Sequence, residues 1–285
     1  MLICSAYTGP PILPILSILS GSARWILQAA KRGHDMRFFD CNAWFGMPPI
    51  PPLLPVPTAE ALLAQMDRAG IGRALVWHIA QQMASPAVGN SLLAEAIAPH
   101  ERLLGCWTLL PPCTHELPPP RELLRQMAQA RVYALRAFPG AHRYLLNAVA
   151  CGELLELMVE SRVPLLLSLQ RSGIGWEGIY NLLADFPDLV CILCEHGCHG
   201  DDRSFRPLLA RYPGVYVDIS HYLLDGGLEA LVADVGAQRI VYGSGFPEVH
   251  MGGMMLALRH AQIPEEAKAA IAAGNLERIL AEVQR

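Results

Sequence analysis

A chain of 285 residues with 52% apolar and 17% charged side chains has ample core material, which excludes an intrinsically disordered protein. Its formal charge of −4 leaves no basic footprint for nucleic acid and no polybasic patch for acidic lipid. The partner classes left are small molecules and other proteins.

Residues 10–19 are apolar, but the run is short, broken by proline and preceded by no positive charge, so it suits neither a signal peptide nor a membrane span. Met36 stands directly before the first strand-like run. Residues 1–35 are therefore read as an N-terminal extension, either a short helical segment around 23–32 or the product of a start placed too far upstream.

From residue 36 onward, apolar strand-like runs alternate with helical patterns eight times. The first run is Arg37-Phe38-Phe39-Asp40-Cys41-Asn42-Ala43-Trp44-Phe45-Gly46. A loop with six prolines follows over 47–57, which rules out helix and suggests a rigid rim, and Thr58 then caps a helix running to Gly70. Further strands are expected at 74–78, 103–109, 132–138, 163–170, 189–197, 215–220 and 239–244, with helices at 90–100, from Pro118–Pro120 onward, 153–162, 176–186, 223–235 and 264–280. Near-continuous apolar runs such as 163–170 are what strands buried on both faces require. Eight such pairs predict an α/β fold, a single-domain (β/α)8 TIM barrel over 36–285, with chemistry at the carboxyl ends of the strands. The eight cysteines are scattered, several inside predicted strands, and are read as buried reduced thiols of a cytoplasmic protein.

The first strand resembles the opening strand of the amidohydrolase superfamily, in its amidohydrolase-2, decarboxylase-like branch, where Asp-x-His-x-His supplies two imidazole ligands. Four further stretches support the likeness in order and spacing: Arg102-Leu103-Leu104-Gly105, Leu193-Cys194-Glu195-His196-Gly197, Tyr242-Gly243-Ser244-Gly245-Phe246-Pro247 and Gly274-Asn275-Leu276-Glu277-Arg278-Ile279-Leu280. The resemblance implies a metal site with two His from strand 1, one His from strand 5 and one Asp from strand 8, plus a His on strand 6 that acts on water and substrate. At those positions this chain has Asn42, Trp44, Ser168 and Gly245, and only the strand-6 residue, His196, is retained. An amide and a hydroxyl do not replace imidazoles and a carboxylate, so no metal cofactor is expected at the inherited site. His196 is the expected acid-base residue.

Arg136 ends strand 4 inside an apolar run and suits a substrate carboxylate, or else pairs with Asp218 or Glu195 as internal support. His78, Trp107 and Gln170 are placed at strand ends, where with Asn42, Trp44 and Asp218 they would line the pocket. Trp44 has the bulk to plug the space of a lost metal. The loop Cys198-His199 is the one candidate for a rebuilt zinc site, although Cys194, Glu195 and His196 alternate along a strand and so cannot all face one cavity. Asp218, Ser220 and His221 contain the residue types of a nucleophile triad, but neighbours on one strand rarely reach its geometry.

The expected function is a hydrolase of a small carboxylated or lactone-like substrate, independent of metal. The alternative is a catalytically inactive relative that binds a ligand or serves in an assembly, and the third choice is a decarboxylase or rebuilt metalloenzyme. The family likeness also implies a homodimer.

Overall fold

The computed structural model describes residues 36–284, so the extension expected over 1–35 lies outside the described residues. Strands β1 (Phe38–Phe45), β2 (Ile71–His78), β3 (Leu103–Thr108), β4 (Val132–Arg136), β5 (Leu165–Ser168), β6 (Cys191–Cys194), β7 (Val215–Asp218) and β8 (Ile240–Val241) form one sheet in sequence order. Every successive pair is parallel. The backbone also links the two ends of the sheet. Cys41 N–H donates to the Tyr242 carbonyl at 2.9 Å, Trp44 N–H to that of Phe246 at 3.0 Å, and Gly245 N–H to that of Asn42 at 3.0 Å. The ring is the TIM barrel that the alternating sequence pattern predicts.

One long helix crosses over between each pair of strands, joined by short four-residue helices at Ala80–Met83 and Pro139–His142: α1 (Ala59–Ala69), α2 (Pro86–Ile97), α3 (Pro120–Gln129), α4 (Ala148–Glu160), α5 (Gly175–Asp185), α6 (Asp202–Arg211) and α7 (Gly227–Val235), with α8 (Gly252–His260) and α9 (Asn275–Ala281) after β8. The local causes are visible in α1. Thr58 caps it by accepting the Ala61 N–H at 3.2 Å, Gly70 ends it with a left-handed φ of 79°, and Leu62 and Met66 turn into the core.

Two features depart from the sequence reading. Strands β3 to β8 stop earlier at their carboxyl ends than the expected runs do, because the chain leaves the ladder to form the loops above the barrel. The helix expected over 264–280 is broken into Glu265–Ala269, a wide π-turn at Ala270–Gly274, and α9. The break serves the shortest strand. The Ile271 carbonyl accepts the Tyr242 N–H at 2.9 Å, and Asn275 Nδ2 donates to the carbonyls of Ala237 and Ile240 at 2.8 and 2.7 Å. An unbroken helix would leave those backbone groups at β8 buried and unpaired.

Candidate functional site

Inside the barrel, side chains from five strand ends meet around Asn42. Arg136 Nη2 donates to Asn42 Oδ1 at 2.6 Å, and Asn42 Nδ2 donates to Glu195 Oε1 at 2.9 Å and to Asp218 Oδ2 at 3.3 Å. Ser168 Oγ makes a short bond to Glu195 Oε2. Ser220 Oγ donates to Asp218 Oδ1 at 2.9 Å, and the Glu195 backbone N–H reaches the same oxygen at 3.2 Å. Every member is at most 2% exposed. Buried charges at such density are tolerated only when they are paired and hydrogen-bonded, and the amide between cation and carboxylates does this by donating from one end and accepting at the other.

Burial dominates the protonation behaviour of the neighbouring groups. Asp40, which accepts from the N–H groups of Asn42 and Ser244 at 3.0 and 2.9 Å, is pushed up to about 6 by loss of water. Asp218 is raised by burial first, with the Glu195 carboxylate adding to it.

Above this lattice lies a pair of indoles. Trp44 and Trp77 have ring centroids 5.7 Å apart, with the Arg136 guanidinium 4.9 Å from the Trp77 ring centroid. Arg171 stands 5.4 Å from the Trp44 centroid and 5.5 Å from that of Trp77. Arg171 lines a cavity of about 330 Å³ together with Trp44, Ile79 and Met83, the loop residues Pro48 and 50–53, and Pro247 and Glu248. Its guanidinium pairs closely with Glu248 and stands 3.6 Å from Glu195 Oε2, with Nη1 donating to Gln82 at 3.1 Å. A side chain 10% exposed thus bridges the interior lattice and the cavity, while Glu248 is 43% exposed and able to swing away.

The residues singled out from sequence are divided by this geometry. Asn42 and Asp218 belong to the lattice and Trp44 to the cavity wall. Arg136 is level with Leu166 in the β4–β5 ladder, two residues below the end of β5, and is wholly buried, so it supports Asn42 and does not reach the mouth. His196 meets the lattice only at the Asp218 backbone. Its Nε2 lies 2.7 Å from the Asp218 carbonyl and its ring packs against Phe205 of α6 and Tyr222, at 4.6 and 5.6 Å. Trp107 is next to Cys106 on β3 and so faces the other side of the strand from that interior residue. Gln170 is exposed, and His78 is half-buried against Phe45, with Nδ1 accepting the Ala80 N–H at 3.2 Å. None of these three lines the cavity.

Sequence reasoning missed Arg171 and named Glu195 only as an internal support for Arg136. Glu195 follows the last residue of β6 with φ 58°, a left-handed backbone that breaks period-two alternation, and so it turns inward after an inward Cys194. Arg171 is positioned by a tight turn in which its N–H donates to Ser168 Oγ at 2.9 Å, which sends residue 171 rather than 170 over the barrel. A polar residue three after the strand-ending Ser168 is the only sequence trace of that turn.

Two expected alternatives find little support. In the 218–221 string, Ser220 sits between Asp218 and His221, with the hydroxyl 3.1 Å from His221 Nδ1; a triad requires the carboxylate on the histidine, not on the serine. Cys198 donates to the Leu223 carbonyl at 3.4 Å, and among the described residues its loop gathers no set of three metal donors.

Residues 34–281 match the family model described as Amidohydrolase. No curated protein sequence matches the chain significantly. Among solved structures, the chain is similar to an uncharacterized TIM-barrel protein, Bb4693 from Bordetella bronchiseptica, at TM-score 0.67 and 17% identity over 88% of this chain and 100% of that one. It is similar to 5-carboxyvanillate decarboxylase LigW from Sphingomonas paucimobilis at TM-score 0.65 and 17% identity, covering 87% and 99%. The 4-oxalomesaconate hydratase LigJ from Rhodopseudomonas palustris gives TM-score 0.64 at 14% identity, covering 86% and 96%. At these identities the likeness is one of fold.

Proposed function

The chain belongs to the amidohydrolase family, and from that premise we propose that it is a member whose inherited catalytic centre has become a structural lattice, leaving a small-molecule binding site at the barrel mouth. The observation that carries this reading is the commitment of Asn42. Its oxygen is taken by Arg136, and its nitrogen faces the two carboxylates that would otherwise be available to a reaction.

The residues at the inherited ligand positions do not fit a divalent ion. Asn42 presents N–H donors toward the carboxylates, Trp44 an indole, Ser168 a hydroxyl already given to Glu195, and Gly245 nothing. A metal centre of the usual kind needs three or four oxygen, nitrogen or sulfur lone pairs aimed at one point. Chemistry at the cavity therefore draws on no ion held at those four positions.

The ligand class follows from the cavity. Arg171 supplies a guanidinium against two indole faces, and its Nε and Nη2 are buried without a hydrogen-bond acceptor in good geometry. A small carboxylated or lactone-like molecule would lay an apolar body on Trp44 and place its oxygens on Arg171, displacing Glu248. Calorimetric titration of the wild type with a panel of small mono- and dicarboxylates and lactones should find binders that Arg171→Met weakens at least tenfold. Equal affinity in both proteins for every binder would overturn the site.

A second reading, hydrolysis at the same cavity, is favoured by one observation: Glu248 is a partly exposed carboxylate beside the anion-binding guanidinium, the place of a general base. Lactone turnover by the wild type that disappears in Glu248→Gln would establish it over the binding role.

A further inference from the structure

Below the indole pair, β1, β6 and β7 bring Cys41, Cys194 and Asp218 to one point. The two sulfurs and a carboxylate oxygen lie within 4.8 Å of one another, and all three residues are completely buried. Two independent observations bear on what this point is for. A Cβ built on Gly243 would stand 2.6 Å from Asp218 Oδ2 and 3.0 Å from Cys41 Sγ, so only glycine leaves the space between these two donors open. Gly243 does not have a left-handed φ, so what glycine supplies there is room and not backbone freedom. In addition, the Nε and Nη1 of the wholly buried Arg136 carry no hydrogen bond, and although burial holds both thiols above their ordinary value, the Arg136 charge opposes that rise.

We propose that Cys41, Cys194 and Asp218 supply three protein ligands to a thiophilic divalent ion, zinc in the first instance, buried inside the barrel. Zinc binds sulfur at about 2.3 Å and carboxylate oxygen at about 2.0–2.2 Å. Ligands at those lengths stand about 3.5–3.8 Å apart in a tetrahedron, so donors now within 4.8 Å of one another close by up to about 1 Å on binding. Binding releases the two thiol protons to solvent and forms two Zn–S bonds and one Zn–O bond, with no change of oxidation state. Two thiolates and one carboxylate carry three negative charges, which the ion and the Arg136 guanidinium balance. The site uses none of the positions 42, 44, 168 and 245 and none of its three residues lines the cavity, so it supplies stability and no chemistry to a bound ligand. It stands whether or not the cavity binds a carboxylate.

Elemental analysis of the full chain, expressed with added zinc and purified by gel filtration, should find about one zinc per wild-type molecule and less than a tenth of that in Cys41→Ser/Cys194→Ser. Wild type with no more zinc than the double variant overturns the proposal, as does a folded double variant that keeps a full equivalent. Because the double variant is altered in the core, cobalt(II) added to chelator-stripped wild type gives a second measurement. Intense ultraviolet absorption from thiolate-to-cobalt charge transfer is expected, and a cobalt spectrum without it overturns the site on its own.

Discussion

Asn42 Nδ2 stands 2.9 Å from Glu195 Oε1, so the side chain at a position where the family places a metal-binding imidazole holds a carboxylate in place from inside the barrel. The same amide accepts from Arg136, and a cation and two carboxylates are therefore joined through one residue.

Asn42→Ala removes that junction and leaves Arg136 facing buried carboxylates across a gap. Breaking a buried charged network by deleting one partner costs about 3–5 kcal/mol. Urea denaturation should show a loss of that order. A loss under about 1 kcal/mol would mean the lattice is solvated and does not hold the barrel together.

His196→Ala is expected to destabilise the fold without touching the cavity. The ring loses its contacts with Phe205 and Tyr222 and leaves the Asp218 carbonyl without its partner. About 3 kcal/mol of stability should go, from the void and the unpaired acceptor together. Affinity for any cavity ligand should stay within a factor of about two of wild type; a large drop would return His196 to the site.

The rings of His78 and His142 give the fold an acid-side weakness. Burial lowers both below the ordinary imidazole value of 6.5. At pH above that value both folded and unfolded chains hold neutral rings and the contribution vanishes. As pH falls below it, the unfolded chain takes up protons that the folded chain resists, so stability declines until the folded values are passed. Melting temperature followed from pH 8 to 5 should fall less steeply in His78→Asn/His142→Asn than in wild type, and parallel curves would remove the two rings as the cause.

Thr58→Ala tests the local cap of α1. Loss of the hydroxyl that accepts the Ala61 N–H should cost about 1 kcal/mol, read by thermal or urea unfolding, with the barrel otherwise unchanged.

Most of the fold was legible because its signals are short-range. Thr58 and Gly70 mark both ends of α1, and Leu165-Leu166-Leu167 declares a strand buried on both faces, since caps and apolar runs act within a few residues. The helix broken at Ala270–Gly274 was not legible, because its cause is the need of β8, some thirty residues away, for backbone partners. Site residues from the sequence divided in the same manner. Asn42 and Trp44, located by the family motif, and Asp218 lie in the lattice and the cavity wall, whereas Glu195 rather than His196 turns inward because one left-handed φ at residue 195 breaks the alternation of the strand.

The sequence by itself determined an amidohydrolase-family barrel and the chemical poverty of positions 42, 44, 168 and 245, since both are written in local pattern and residue type. Only the tertiary structure decided that Glu195 faces inward, that Arg171 and not Arg136 reaches the cavity, and that Cys41, Cys194 and Asp218 share one point. Those relations depend on the register of separate strands around a closed ring and on how far each strand runs before its loop, quantities set by the packing of the whole barrel.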